Sequence, residues 1–232
     1  MGTSDQAGDY PRPEDIRFMQ RPGGNQGQLL PDIVVKLPRA FQIGSNPARE
    51  KPYIIVSLRE DPDAFQQYPF SQDHVRALAK VLDKLSLEQG VDIVFVPFHG
   101  GGSHDDNVIH QQVAGCMKEK ARVIIREWTS DIAELMTCIT HARIVLGMRL
   151  HAIVLAIGCS RPCVAMPYDH KIYQFADLVN LKEFVTSNQL LDTEFTMNTL
   201  SRICQSKVAY DLCWAEKWGS LRLDVQWGLS GL

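Results

Sequence analysis

Residues 143–157 read RIVLGMRLHAIVLAI, a short apolar run, a turn and a longer apolar run. The β-branched residues of the first run, closed by Gly147, predict a buried strand over 143–147. Residues 150–157 are apolar nearly all round, which predicts a helix buried in the protein interior. Arg149 and His151 interrupt the pattern where strand turns into helix. The segment therefore predicts a strand–turn–helix unit of an α/β protein.

The same alternation of strand and helix extends on both sides of this segment. Short β-branched runs predict four further strands, at residues 53–58, 92–97, 122–126 and 162–166. Periodic apolar positions predict a helix over 74–89 ending at Gly90, a helix over 108–118, and a helix that Ser130 can cap. This spacing is typical of α/β proteins with a Rossmann-like parallel sheet and helices on both faces.

Composition divides the chain near residue 50. Residues 1–50 contain 12 of the 28 Gly and Pro residues, and residues 21–28 show no periodicity. We therefore predict a disordered or linker segment over 1–50 and an α/β domain over 51–232. The pattern weakens after residue 180, where a strand near 183–186 and further helices are predicted. Packing against the domain is the simplest role for the tail, which contains Trp214, Trp218 and Trp227.

Composition also narrows the function classes. The chain has 24 Lys and Arg against 27 Asp and Glu, whereas general binding to nucleic acid or a membrane surface favours a basic excess. Residues 1–21 show no signal peptide, and the longest apolar stretch, 144–166, is too charged to span a bilayer. The six cysteines have no metal-binding spacing and lie mostly among apolar residues, which favours free thiols and a cytoplasmic location.

Cationic side chains cluster where the predicted strands end. Arg59 follows the first strand, Arg149 and His151 follow the fourth, and Lys171 follows the fifth. Open parallel sheets bind ligands outside the carboxyl ends of their strands, so we expect these side chains at one rim. The helix N-terminus after the fourth strand suits phosphate or carboxylate, and Arg149 adds a bidentate donor. The alternative is that Arg149 pairs with a buried carboxylate and His151 caps the helix.

The order of these residues resembles the polysaccharide pyruvyl transferase family over roughly residues 52–180. The matching positions are Ser57-Leu58-Arg59, Val96-Pro97-Phe98 with Asp105 and Asp106, Gly147-Met148-Arg149-Leu150-His151-Ala152, Pro162, and Tyr168-Asp169-His170-Lys171. The resemblance implies the carboxy-terminal half of a GT-B-like two-domain transferase. Such an enzyme moves pyruvate from phosphoenolpyruvate onto two hydroxyls of a saccharide as a ketal.

The resemblance also implies which residues act. Arg59, Arg149, Leu150, His151 and Lys171 would bind phosphoenolpyruvate, and His151, Arg149 and Lys171 would act in catalysis, with no metal or cofactor. His151 suits proton transfer near neutral pH, and the cations suit charge that shifts between carboxylate and phosphate.

The chain departs from the family in length, since only residues 1–50 precede the first core strand. We read these residues as the remnant of an amino-terminal half, whose place a partner domain or a second copy could take. Two alternatives stay open. One is a glycosyltransferase half that binds a nucleotide-sugar, and the other is a non-catalytic binding domain derived from the family.

A second polar segment surrounds Gly100-Gly101-Gly102. It lacks the GxGxxG spacing of dinucleotide sites, and we predict a mobile loop there. Its histidines and aspartates could bind a metal, but their irregular spacing favours solvated polar residues; they are His99, His104, Asp105, Asp106 and His110. Glu127 and Asp131 follow the third strand, where Asp131 could instead cap a helix. Tyr173 and Phe175 are expected in the core.

The domain boundary gives a first prediction. Limited proteolysis should trim residues 1–28, because they lack the apolar periodicity that packing requires. Mass spectrometry should then find a resistant core that begins between about residue 30 and residue 52. An amino terminus that survives digestion intact would place the boundary elsewhere.

Overall fold

The computed structural model describes residues 51–59, 71–167, 170–178, 185 and 193–205. The strands are β1 (Tyr53–Ser57), β2 (Asp92–Phe95), β3 (Val123–Ile125), β4 (Ile144–Gly147) and β5 (Cys163–Ala165). The helices are α1 (Gln72–Gln89), α2 (Asp106–Cys116), α3 (Ile132–Thr140), α4 (Leu150–Gly158), α5 (His170–Leu178) and α6 (Thr193–Gln205). The predicted linker over 1–50 and the Trp-containing tail lie outside the described residues.

All five strands are parallel, in the order β3-β2-β1-β4-β5. The chain runs outward from β1 through β2 to β3, then returns to the other side of β1 to form β4 and β5. The direction of winding therefore reverses between β1 and β4. This topological switch point is where open α/β sheets leave a crevice at their carboxyl edge.

Helices cover both faces of the sheet. Helices α1, α2 and α6 pack together, while α3 packs against α4. Right-handed crossovers explain the division, because β1–β2–β3 is wound in one direction and β3–β4–β5 in the other. The predicted fold class, an α/β Rossmann-like parallel sheet with helices on both faces, is confirmed.

The central strands form the core. Every residue of β1 and β4 is buried, which explains why their sequences, apart from Ser57 at the end of β1, are continuously apolar rather than alternating. Helix α4 is buried from Ala152 to its last residue, as its sequence predicted. The predicted strand near 183–186 is represented by Val185, which forms a parallel bridge with Ala165.

Helix ends differ from the sequence predictions where an aspartate caps the helix. Helix α2 begins at Asp106, earlier than predicted, because the Asp105 carboxylate accepts the Asn107 amide at 2.8 Å. The cap of α3 is Asp131, which accepts the amides of Ala133 and Glu134, so the prediction of a Ser130 cap was wrong. Gly90 ends α1 as predicted, with a left-handed φ of 64°.

The cysteines in the described part of the chain are all free, as predicted. Four are buried and Cys116 is exposed. Burial raises the pKa of the Cys163 thiol well above its usual range, so this residue behaves as a small apolar side chain. None of the described helices is both long and apolar enough to cross a membrane.

Candidate functional site

The candidate site lies at the switch point between β1 and β4. Ser57 pairs with Gly147, and the pairing continues one residue further because the Met148 amide donates to the Ser57 carbonyl at 2.8 Å. Arg59 and Arg149 each follow this pair by two residues. Neighbouring strands lie about 4.8 Å apart, so the two arginines leave the sheet side by side.

Helix α4 begins directly against this edge. A Cβ atom on Gly147 would lie 3.0 Å from Ile153 Cδ1 and 3.3 Å from Ala152 Cβ, so the missing side chain allows the close approach of α4. Arg149 is the N-cap residue, and its side chain makes no capping hydrogen bond. His151, the second residue of the helix, is exposed and does not cap it. The first turn therefore directs amide groups at the crevice without a side-chain acceptor among the described residues.

The Arg149 side chain is bound to the buried carboxylate of Asp106. Arg149 Nε lies 3.1 Å from both carboxylate oxygens, and Nη2 lies 2.5 Å from Oδ1. The Asp106 side chain is fully buried, whereas the Arg149 side chain is 16% exposed to solvent. The pairing that we gave as the alternative role of Arg149 is thus present, and it leaves part of the guanidinium accessible.

Asp106 also fixes the loop after β2. Its Oδ2 accepts the backbone amides of Phe98 and His99 at 2.9 and 3.0 Å. Two amides and two guanidinium nitrogens therefore satisfy the carboxylate, as a buried charge requires. The prediction that Asp106 is a solvated residue was wrong.

His110, one turn further along α2, is also buried rather than solvated. Its Nε2 accepts the Leu58 amide at 3.0 Å, and its Nδ1 lies 3.1 Å from Asn107 Oδ1. The ring is therefore neutral, with its hydrogen on Nδ1. Burial lowers the pKa of His110 to about 3, and the nearby charge of Arg149 acts in the same direction.

Asn107 completes the contacts of α2 with the strand ends. Its side-chain amide donates to the Arg126 carbonyl at 3.1 Å, just after β3. We call Asp106, Asn107 and His110 the α2 clamp, since together they bind the chain after β1, β2, β3 and β4. Sequence reasoning missed the clamp, although the spacing of Asp106 and His110, four residues apart on one helical face, was a visible signal.

The metal alternative finds no support in the described parts of the chain, where no three His, Cys, Asp or Glu side chains are arranged to hold an ion. Asp105 serves instead as a cap. The amides of Asn107 and Gly101 donate to its carboxylate and lower its pKa.

The triple-glycine loop is held by hydrogen bonds. His99 Nδ1 lies 3.0 Å from the His104 carbonyl, and the Asp106 amide donates to the His99 carbonyl at 3.1 Å. Trp128 covers Gly100 so closely that a Cβ there would lie 2.4 Å from the Trp128 Cβ. These contacts tie the loop to the start of α2 and to Trp128, and its mobility stays a prediction.

The remaining candidate residues flank the crevice. Leu150 is half-buried against the core, and Lys171, the second residue of α5, is exposed beyond β5, the neighbour of β4. Glu127 is exposed. Phe175 is buried and Tyr173 partly so, in keeping with core positions. Tyr168 and Asp169 lie outside the described residues.

Comparison with known proteins yields one family. The family model for polysaccharide pyruvyl transferase matches residues 23–170. A search of curated proteins finds no match to the chain.

Solved structures with TM-scores above 0.5 share the fold at low sequence identity. A protein from Listeria monocytogenes assigned as a UDP-N-acetylglucosamine 2-epimerase superposes with a TM-score of 0.54 at 9% identity, covering 77% of this chain and 44% of that protein. The UDP-GlcNAc 2-epimerase from Neisseria meningitidis gives 0.51 at 8%, covering 71% and 39%. The calicheamicin glycosyltransferase CalG4 gives 0.48 at 17%, covering 80% and 41%. The chain thus spans less than half the length of each.

The buried imidazole predicts how stability depends on pH. The pKa of His110 is about 3 in the folded protein, because burial disfavours the charged ring, and near the ordinary histidine value of 6.5 in the unfolded chain. The unfolded chain therefore binds one more proton between these values. The stabilisation is complete above pH 6.5 and is lost as the pH falls toward 3. Denaturant titrations between pH 6.5 and 5 measure this effect. The free energy of unfolding should fall by about 1.4 kcal/mol for each pH unit that the pH is lowered, the slope that the uptake of one proton gives.

Two variants test the assignment to His110. The variant His110→Gln should lose this one-proton slope, although it is less stable throughout because the Leu58 amide loses its acceptor. The matched variant His141→Gln, at an exposed histidine after α3, should keep the slope. Equal slopes in wild type and His110→Gln would contradict the assignment.

Proposed function

The chain belongs to the polysaccharide pyruvyl transferase family, and from this we propose that it is the half of a transferase that binds phosphoenolpyruvate. In the complete enzyme, pyruvate would pass from this donor to two hydroxyls of a saccharide as a ketal. The observation that carries the proposal is the pair Arg59 and Arg149, at equivalent positions on the two strands that flank the switch point.

The geometry suits a ligand with two anionic groups. Phosphoenolpyruvate carries a carboxylate and a phosphate, and the crevice offers two guanidinium groups together with the amides of α4. Lys171 adds a third cation beyond the next strand. Asp106 neutralises the charge of Arg149, so the amides of the helix N-terminus add to the positive potential at this edge.

Asp106 also orients Arg149 for this task. The Asp106 carboxylate accepts hydrogen bonds from Nε and Nη2 of Arg149, whereas Nη1 of Arg149 makes no hydrogen bond within the described part of the chain. A guanidinium held along one edge presents its other edge in a fixed direction, which lowers the entropy lost when a ligand binds.

The proposed reaction adds a proton to the methylene carbon of the donor, which becomes the methyl group. One saccharide hydroxyl attacks the cationic central carbon, and the second displaces phosphate to close the ketal. The two hydroxyl protons balance the one gained by carbon and the one gained by phosphate. His151 is exposed at the rim, where an imidazole can move a proton near neutral pH. The arginines stabilise the phosphate as it leaves.

Ligand-dependent melting tests the donor. Phosphoenolpyruvate at about 100 times its dissociation constant should stabilise the chain by roughly 2.7 kcal/mol, because only the folded state binds it. The comparison ligands are UDP and UDP-N-acetylglucosamine. Protection by either of these, with none from phosphoenolpyruvate, would instead support the nucleotide-sugar alternative.

Substitutions in the turn after β4 distinguish residues that bind the donor from residues that catalyse the reaction. Arg149→Lys keeps the positive charge but loses the two parallel N–H donors of the guanidinium group. The affinity for phosphoenolpyruvate should therefore fall about tenfold. The matched control is Arg122→Lys, which alters an arginine paired with Asp92 just before β3, at the opposite edge of the sheet, and should leave the affinity unchanged. Binding should be measured by calorimetry on variants whose unfolding without ligand has been recorded, because Arg149 also satisfies Asp106.

His151→Gln should bind the donor nearly as well as wild type. Its turnover, measured in a form supplemented with the acceptor-binding half, should fall by roughly 10²–10⁴-fold, the usual contribution of general acid–base catalysis. Wild-type turnover in His151→Gln, or normal donor binding in folded Arg149→Lys, would remove that residue from the proposed site.

A further inference from the structure

Ser57 places a buried hydroxyl at the switch point. Ser57, the last residue of β1, is fully buried, and its Oγ makes no hydrogen bond within the described part of the chain. Ser86, the other fully buried serine of the described core, donates to the Val91 carbonyl at 2.7 Å. An unsatisfied buried hydroxyl is costly, so its presence at the end of the central strand needs a reason.

The direction of this hydroxyl follows from the strand register. Ser57 pairs with Gly147 in parallel, and paired residues of neighbouring strands project to the same face of a sheet. A Cβ on Gly147 would touch Ala152 and Ile153 of α4. The Ser57 side chain therefore projects toward the face covered by the beginning of α4.

The same place holds other unsatisfied donors. The amides of Leu150 and His151 open α4 with no acceptor from its own turns, and no side chain caps them in the described structure. Arg149 follows Gly147 by two residues and adds its guanidinium. The Ser57 hydroxyl and the N-terminus of α4 thus lie at the same end of the paired strands β1 and β4, and Arg149 is the N-cap residue of that helix.

We infer that Ser57 is a ligand-binding residue whose hydroxyl donates a hydrogen bond to a phosphate group held at the N-terminus of α4. The identity of the donor as phosphoenolpyruvate rests on the proposed function, whereas the phosphate contact does not. A phosphate offers three oxygens, so it can accept from the hydroxyl, the helix amides and Arg149 together. The same phosphate would give the Ser57 hydroxyl the partner that the described part of the chain does not supply.

The test uses two variants that each remove an unsatisfied buried hydroxyl. Ser57→Ala acts at the proposed site. Thr196→Val removes a second buried hydroxyl, on α6, that has no partner among the described residues. Both should unfold at the same denaturant concentration as wild type or higher, because neither loses a hydrogen bond. Calorimetry on the full chain with phosphoenolpyruvate, inorganic phosphate and pyruvate then measures binding. Ser57→Cys, which nearly keeps the volume, serves as a second variant should Ser57→Ala fail to fold.

The expected result is specific to phosphate. Ser57→Ala should weaken phosphoenolpyruvate and inorganic phosphate about tenfold and leave any binding of pyruvate unchanged, while Thr196→Val matches wild type. Unchanged phosphate affinity in Ser57→Ala would overturn the inference and leave the proposed function intact. A marked loss of stability in both Ser57 variants would also overturn the inference. It would mean that the Ser57 hydroxyl forms a hydrogen bond within the protein itself. Serine-dependent binding of inorganic phosphate, with none of phosphoenolpyruvate, would support the inference and reject the proposed donor.

Discussion

A buried carboxylate must be surrounded by donors, and Asp106 takes its donors from two separate strand ends. The loop after β2 gives two backbone amides, and the turn after β4 gives the Arg149 guanidinium. Removing any of these donors would leave a charge exposed to the low dielectric of the core. The carboxyl edge of the sheet is therefore held in one arrangement by the cost of burying a single negative charge.

The α2 clamp extends this arrangement to the whole edge. His110 binds the chain just before Arg59, and Asn107 binds the chain after β3. The buried side chains of Asp106 and His110 thus fix the chain that carries the two arginines. Such support from a second layer of residues is what lets an arginine act as a positioned donor rather than as a flexible charge.

The fold was predictable because its decisive signals are local. The β-branched run before Gly147 and the apolar helix after it define one strand–helix unit, and its repetition defines the sheet. Arg59, Arg149 and His151 could be placed at one edge because parallel strands share a carboxyl end. The clamp could not be foreseen in the same way. Asp106 and His110 look like surface residues until the distant partners Arg149 and Leu58 are known, and tertiary contacts of that kind leave little trace in periodicity.

The strand order also constrains how the molecule can assemble during synthesis. Strands β2 and β3 follow β1 closely enough to pair with it early, but its other neighbour, β4, is the fourth strand of the chain. On a ribosome, the unpaired backbone groups along this edge of β1 must wait until residues 144–147 emerge, and Asp106 must wait for Arg149. Parallel pairing between strands so far apart in sequence is slow. Until it is complete, the unpaired strand edge and the apolar residues beside it stay exposed and prone to aggregation. The nascent chain therefore most needs protection by chaperones before β4 has been synthesised.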